Sequence, residues 1–343
     1  MQTLPGISGN IFWNGAMRRG TILFDGKNLN FSEKLYDRFP RGTVIPGLIN
    51  AHIHIGDSFV GEEPPTDLKD AVGPGGFKYR MLQSVNGSVL RAGMKSAAGF
   101  MNSTGTVAAI DFRENGIQGI REFDRARIRK PAFVTMGRPS QDLADMEEVV
   151  SSSKGVALSS VSDHDVDYML TIAERARKSG KKVAIHFSER SREDMGILKR
   201  IKPDLVIHCL FATNSDLREI RDMGARIVIT PRSNLAYGLT TDYGRFQKQG
   251  ITPLLGTDNV MSVEPDMLSE MQFLYLLQRS RTGIVPETVI KMATSEPLNL
   301  LDAWNISYSR NTVIYYPGVM RTPYEIVSRP HMGYRVAQIA GER

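Results

Sequence analysis

The chain has one cysteine, Cys209, among its 343 residues. An internal disulfide is therefore excluded, and a reducing location is expected. It has no run of about 18 apolar residues, the length a membrane-spanning helix needs, and its opening MQTLPGISGN lacks the charged-then-apolar layout of a signal peptide. The expected compartment is the cytoplasm, with no membrane partner. Low-complexity tracts, a long linker and any recognised nucleic-acid motif are also missing, and no internal repeat goes beyond an alternation of strand and helix patterns. A net charge of +6 could suit a polyanion. The basic residues are interleaved with acids, as in REFDRARIRK, so a solvated mixed-charge surface is expected and a nucleic-acid partner is not.

What is present is an ordinary globular composition, 41% hydrophobic and 23% charged, long enough for one large α/β barrel with a small appendage or for two ordinary domains. The strongest local pattern is TVIPGLINAHIHIGD, Thr43 to Asp57, an apolar run ending in His52 and His54. Residues two apart on a strand face the same way, so two imidazoles there can grip one metal ion. Single histidines close two further apolar runs, KKVAIHF (His186) and PDLVIHC (His208), and Asp258 closes TPLLGTD. Four strand ends thus carry metal-type or acid–base side chains.

Short β-like pieces, GNIFWNG, RRGTILFDG and RGTVIPG, fill the first 45 residues, with Asn-Gly and Asp-Gly turn signals that suggest an antiparallel sheet. Beyond His54, seven more strand patterns alternate with helical ones: TGTVAAIDF, KPAFVTMG, KGVALSSV, KKVAIHF, PDLVIHC, ARIVITP and TPLLGTD. Eight strands with crossover helices are the count of a (β/α)8 TIM barrel, whose sites collect at the carboxyl ends of the strands. The tail pieces NTVIYYP, PYEIVS and YRVAQIAG read as β again. The expected fold is α/β: residues 46–304 form the barrel, and residues 1–45 plus 305–343 form a small β-sandwich-like domain from both termini.

The series PGLINAHIH, IHFSE, VIHC, TPRSN and LLGTDN resembles the amidohydrolase superfamily, in its branch of cytosine, guanine and adenosine-type deaminases and chlorohydrolases. The resemblance implies a divalent metal ion held by His52, His54, His186 and Asp258. Three imidazoles and a carboxylate suit Zn²⁺, or alternatively Fe²⁺. It also implies that Asp258 accepts the proton of the attacking water, that His208 hydrogen-bonds the attacked centre, and that Glu189, in His186-Phe-Ser-Glu189, shuttles a proton to a ring nitrogen. An acid opening the next helix is the plainer reading of Glu189. The carboxylated lysine of binuclear members has no counterpart, because Lys154 stands at the wrong end of the fourth strand, so one ion is expected. The implied activity is a metal-dependent aminohydrolase acting on a nucleobase-like or other N-heterocyclic small molecule. A cyclic-amide hydrolase, a chlorohydrolase and a non-catalytic metal-binding relative are the alternatives.

Arg113, Arg138, Arg232 and Asn234 follow strand ends and are candidate substrate contacts, the arginines for an anionic group. The Gly/Pro-rich stretch from Ile55 to Lys78 is a candidate cover for the pocket. Asp163 and His164, just past the fourth strand, read as a helix start, with an approach to the site as the alternative, and a homo-oligomer is compatible with the resemblance.

Overall fold

The computed structural model describes residues 2–340. Nine strand segments form one wholly parallel sheet, in the chain order Leu48–His54, Thr106–Arg113, Ala132–Gly137, Gly155–Leu158, Lys182–Phe187, Leu205–His208 and Arg226–Ile229, with Leu254–Leu255 and Asp258–Asn259 at its two edges. Those last two segments are halves of one eighth strand. Leu254–Leu255 pairs with the seventh strand and Asp258–Asn259 with the first, so the sheet closes into a (β/α)8 barrel. The closure needs Gly256, because a Cβ there would meet His52 backbone and Cβ atoms at 2.8 Å.

Helices follow most strands and cover the sheet, as right-handed βαβ crossovers require. Their ends are written locally. Asp165 accepts from Asp167 N and Tyr168 N to start Val166–Lys178, and Thr213 with Asp216 forms a capping box before Asn214–Asp222. The long pattern after the first strand is two helices, Phe77–Ser84 and Gly87–Ser103. The chain is extended at Val85 and Asn86, and the Asn86 side chain caps the second helix.

Both termini join a second, seven-stranded sheet that contains Gly6–Trp13, Ala16–Phe24, Arg41–Pro46, Thr312–Pro317 and Arg335–Ile339. The Asn14-Gly15 hairpin forms as its sequence predicts, with Trp13 opposite Ala16. The sheet is mixed, however, because Gly6–Trp13 runs parallel to Arg41–Pro46 and Gln2–Leu4 parallel to Arg335–Ile339. Hairpin signals fix sequential neighbours and say nothing of strands that meet after a long excursion. One tail expectation is corrected. PYEIVS is the helix Pro323–Ser328, where a Thr322/Glu325 capping box and Pro323 at the first turn outweigh the β-branched residues. His331 lies in the turn after that helix, with its Nε2 3.2 Å from Asp266 Oδ2.

Candidate active site

The barrel's carboxyl end gathers residues that are up to two hundred positions apart in the chain. His52 and His54 end the first strand and His186 the fifth, and Asp258 opens the last segment. All four are buried. One ligand atom from each lies within 4.8 Å of every other. His52 Nε2 is 3.1 Å and His54 Nε2 3.5 Å from Asp258 Oδ1, while His54 Nε2 and His186 Nε2 face each other at 3.4 Å. Asp258 sits in the left-handed region at φ +65, as do Ser188 at +50 and His208 at +73. Strained backbone of this kind at three strand ends is how a site re-aims side chains at a common point.

The histidines are held from behind. His186 Nδ1 donates to the Leu158 carbonyl oxygen at 3.0 Å, and His54 Nδ1 lies 2.5 Å from Glu114 Oε1. Each ring therefore carries its hydrogen on Nδ1 and turns a lone pair inward through Nε2. Two lone pairs opposed at 3.4 Å repel unless a cation lies between them, so the donor set fits a divalent ion. Burial pushes His52 down to about 4 and His186 well below the usual imidazole range, so both rings are neutral near pH 7, as ligation requires. For Asp258 burial pushes upward, but the His52 hydrogen bond and the surrounding imidazoles win and hold it well below the carboxylate range. Its Oδ2 accepts from Ser233 Oγ at 2.7 Å, which leaves Oδ1 for the imidazoles.

Beside this cluster, Glu189 Oε1 accepts from Asn234 Nδ2 at 3.0 Å, and Glu189 Oε2 lies 3.3 Å from His208 Nε2. Burial, then the charges of Asp258 and Asp163, push Glu189 well above the carboxylate range, which favours its protonated form. Burial pushes His208 down to about 3. Lys154 precedes the fourth strand, away from the carboxyl rim.

A cavity of about 530 Å³ opens over both groups and is bordered by His54, His186, Glu189, His208, Asp258 and Arg138. Its size is that of a small-molecule site. Among the four candidate substrate contacts only Arg138 borders it. Arg113 is buried against Asp111, with its guanidinium 5.3 Å from the Phe123 ring centroid. Arg232 donates to the Glu264 carbonyl oxygen at 3.1 Å, and Asn234 is fully buried behind Glu189. Asp163 and His164, read as a helix start, do precede the Asp165 cap and also border the cavity. Leu68, Val72 and Lys78, from the stretch after the first strand, line another wall.

Two residues went unread in the sequence. Glu114 stands one position beyond the second strand, where barrel sites collect, but the neighbouring Arg113 drew the reading. Lys78 pairs with Glu114 and donates to Asn259 Oδ1 at 2.8 Å. It lies on a helix 24 positions after His54 and carries no local signature.

A family model for the amidohydrolase family matches residues 43–302. The chain belongs to the amidohydrolase family. This amidohydrolase is 33% identical to a putative aminohydrolase of Methanothermobacter thermautotrophicus over 326 residues, covering 82% of this chain and 84% of that protein. It is 24% identical to a 5-methylthioadenosine/S-adenosylhomocysteine deaminase of Halobacterium salinarum, covering 74% of this chain and 67% of that one. The guanine deaminase of C. acetobutylicum, solved with guanine bound, superposes with a TM-score of 0.74 at 14% identity over 91% of this chain and 90% of that chain, which shows a shared fold. The family makes the protein a hydrolase of carbon–nitrogen bonds other than peptide bonds. Among the described residues, no helix is long and apolar enough to cross a membrane.

Proposed function

We propose that this amidohydrolase removes an exocyclic amino group, as ammonia, from a nucleobase-like or other N-heterocyclic small molecule. His52, His54, His186 and Asp258 would hold one divalent ion, Zn²⁺ by the donor chemistry. Such an ion supplies Lewis acidity and a water of lowered pKa. The observation that carries the reading is the place of Glu189, a carboxyl 3.3 Å from His208 Nε2 that lines the cavity with His54, His186 and Asp258 and whose burial favours its protonated form. A protonated acid there gives its hydrogen to a ring nitrogen, which turns the neighbouring carbon electrophilic. The carboxylate left behind takes the second hydrogen of the attacking water, from the hydroxyl of the tetrahedral carbon, as the carbonyl forms, and so regains its proton. His208 hydrogen-bonds the attacked centre, and Asp258 Oδ1 takes the first hydrogen of the attacking water and passes it to the departing amine, while Ser233 fixes its other oxygen. Arg138, with Nε donating to the Ala157 carbonyl oxygen at 3.2 Å, presents its guanidinium at the cavity border and favours a substrate with an anionic or carbonyl-bearing end.

The test is ammonia release by the zinc-loaded protein over pterins, purines, pyrimidines and their nucleosides, with acidic members included. Release from one of these, lost in Glu189→Gln, supports the proposal. Halide release or ring opening with no ammonia would replace it with the chlorohydrolase or cyclic-amide reading.

A further inference from the structure

Asn234 lies on the helix Pro231–Ala236, fully buried, and its amide is engaged at both ends. Oδ1 receives the Thr230 hydroxyl at 3.2 Å and the Tyr243 hydroxyl at 3.5 Å. Nδ2 faces Glu189 Oε1 at 3.0 Å and His208 Nδ1 at 3.2 Å. An amide nitrogen only donates, so the His208 nitrogen that meets it must accept. The Thr230 hydroxyl, also 3.2 Å from Nδ1, shares its one hydrogen between two acceptors. The neutral His208 ring therefore carries its hydrogen on Nε2, the reverse of His54 and His186. That Nε2 belongs to a second group of metal-type atoms, from Glu189, His208 and Asp258, which also lie within 4.8 Å of one another. A ring nitrogen bearing hydrogen has no lone pair for a metal.

We propose that Asn234 is a positioning residue that locks His208 as an Nε2–H donor and thereby bars a second divalent cation from the Glu189, His208 and Asp258 cluster. The site admits one ion because of this amide as well as for lack of a bridging lysine. The inference rests on the reading of His52, His54, His186 and Asp258 as holders of that ion.

In Asn234→Asp an accepting oxygen replaces the donating nitrogen at nearly equal volume, so His208 Nδ1 takes the hydrogen and Nε2 is freed. Zinc alone is added to chelator-treated full-length protein, excess is removed, and bound metal is counted by elemental analysis. One equivalent is expected in the wild type, two in Asn234→Asp, and one again in Asn234→Asp with His208→Gln. A single equivalent in Asn234→Asp, or two in the wild type, overturns the proposal. No zinc in the wild type defeats the ligand reading instead. Long-range proton–nitrogen NMR of ¹⁵N-histidine wild-type protein decides the tautomer without any variant at Asn234, the His208 signals being identified by their loss in His208→Gln. Hydrogen on Nε2 supports the lock, and hydrogen on Nδ1 refutes it even if Asn234→Asp does not fold.

Discussion

The two halves of the barrel mouth use the same residue types for opposite ends. On one side imidazoles are backed by acceptors, the Leu158 carbonyl and Glu114, and so turn lone pairs inward. On the other, His208 is backed by the Asn234 donor and turns its hydrogen inward. One short helix, Pro231–Ala236, serves both halves through adjacent side chains, Ser233 to Asp258 and Asn234 to Glu189 and His208. What a histidine does here depends on the atom behind it, and the residue type alone leaves that open.

The hardest blow to the cation side is His186→Ala. Losing a ligand should empty the zinc site in elemental analysis and lower turnover by about a thousandfold or more, the worth of several kcal/mol of charge stabilisation. Full zinc occupancy in that variant would sink the assignment. Glu189→Gln should strike only the proton side. A loss of roughly a hundred- to ten-thousandfold in kcat is expected with zinc content unchanged. If turnover stays at the wild-type level, the proton shuttle is wrong. Glu114→Gln weakens the support of His54, and chelator competition should read zinc affinity about ten- to a hundredfold lower. Equal affinity would show that Glu114 plays no part in holding the ligand.

The smallest effect concerns the shared helix. Glu270 Oε1 accepts from Arg232 N at 2.9 Å, and burial lifts this carboxyl from 4.5 to about 8. The folded protein therefore keeps a proton that the unfolded chain releases above about pH 4.5. Wild-type stability should fall as the pH rises from there to about 8 and level off beyond. Glu270→Gln keeps the acceptor and removes the titration, so its melting temperature should gain on the wild type between pH 5 and pH 8. A gap that does not change with pH would mean that Glu270 does not titrate in this window.

The eight-strand barrel and the convergence of His52, His54, His186 and Asp258 were legible because the strands are apolar runs, four of the eight closed by a metal-type or acid–base residue, and strand periodicity survives in one dimension. Glu114 and Lys78 were not, since one is masked by an adjacent arginine and the other reaches the site from a helix. The arginines misled for a related reason. Position after a strand end says that a residue is near the rim, while the direction of a long flexible side chain is settled by its partners, Asp111 for Arg113 and the Glu264 carbonyl for Arg232.

Sequence by itself determined the barrel and the order of its site residues, because local propensity and hydrophobic period are properties of short segments, and its strand-end motifs carried the resemblance to the family. Tertiary structure alone decided which ring nitrogen carries a hydrogen, which arginine meets the cavity and why the Glu189 carboxyl is pushed toward its protonated form. Those depend on hydrogen-bond partners and desolvation contributed by residues distant in the chain, which no local pattern encodes.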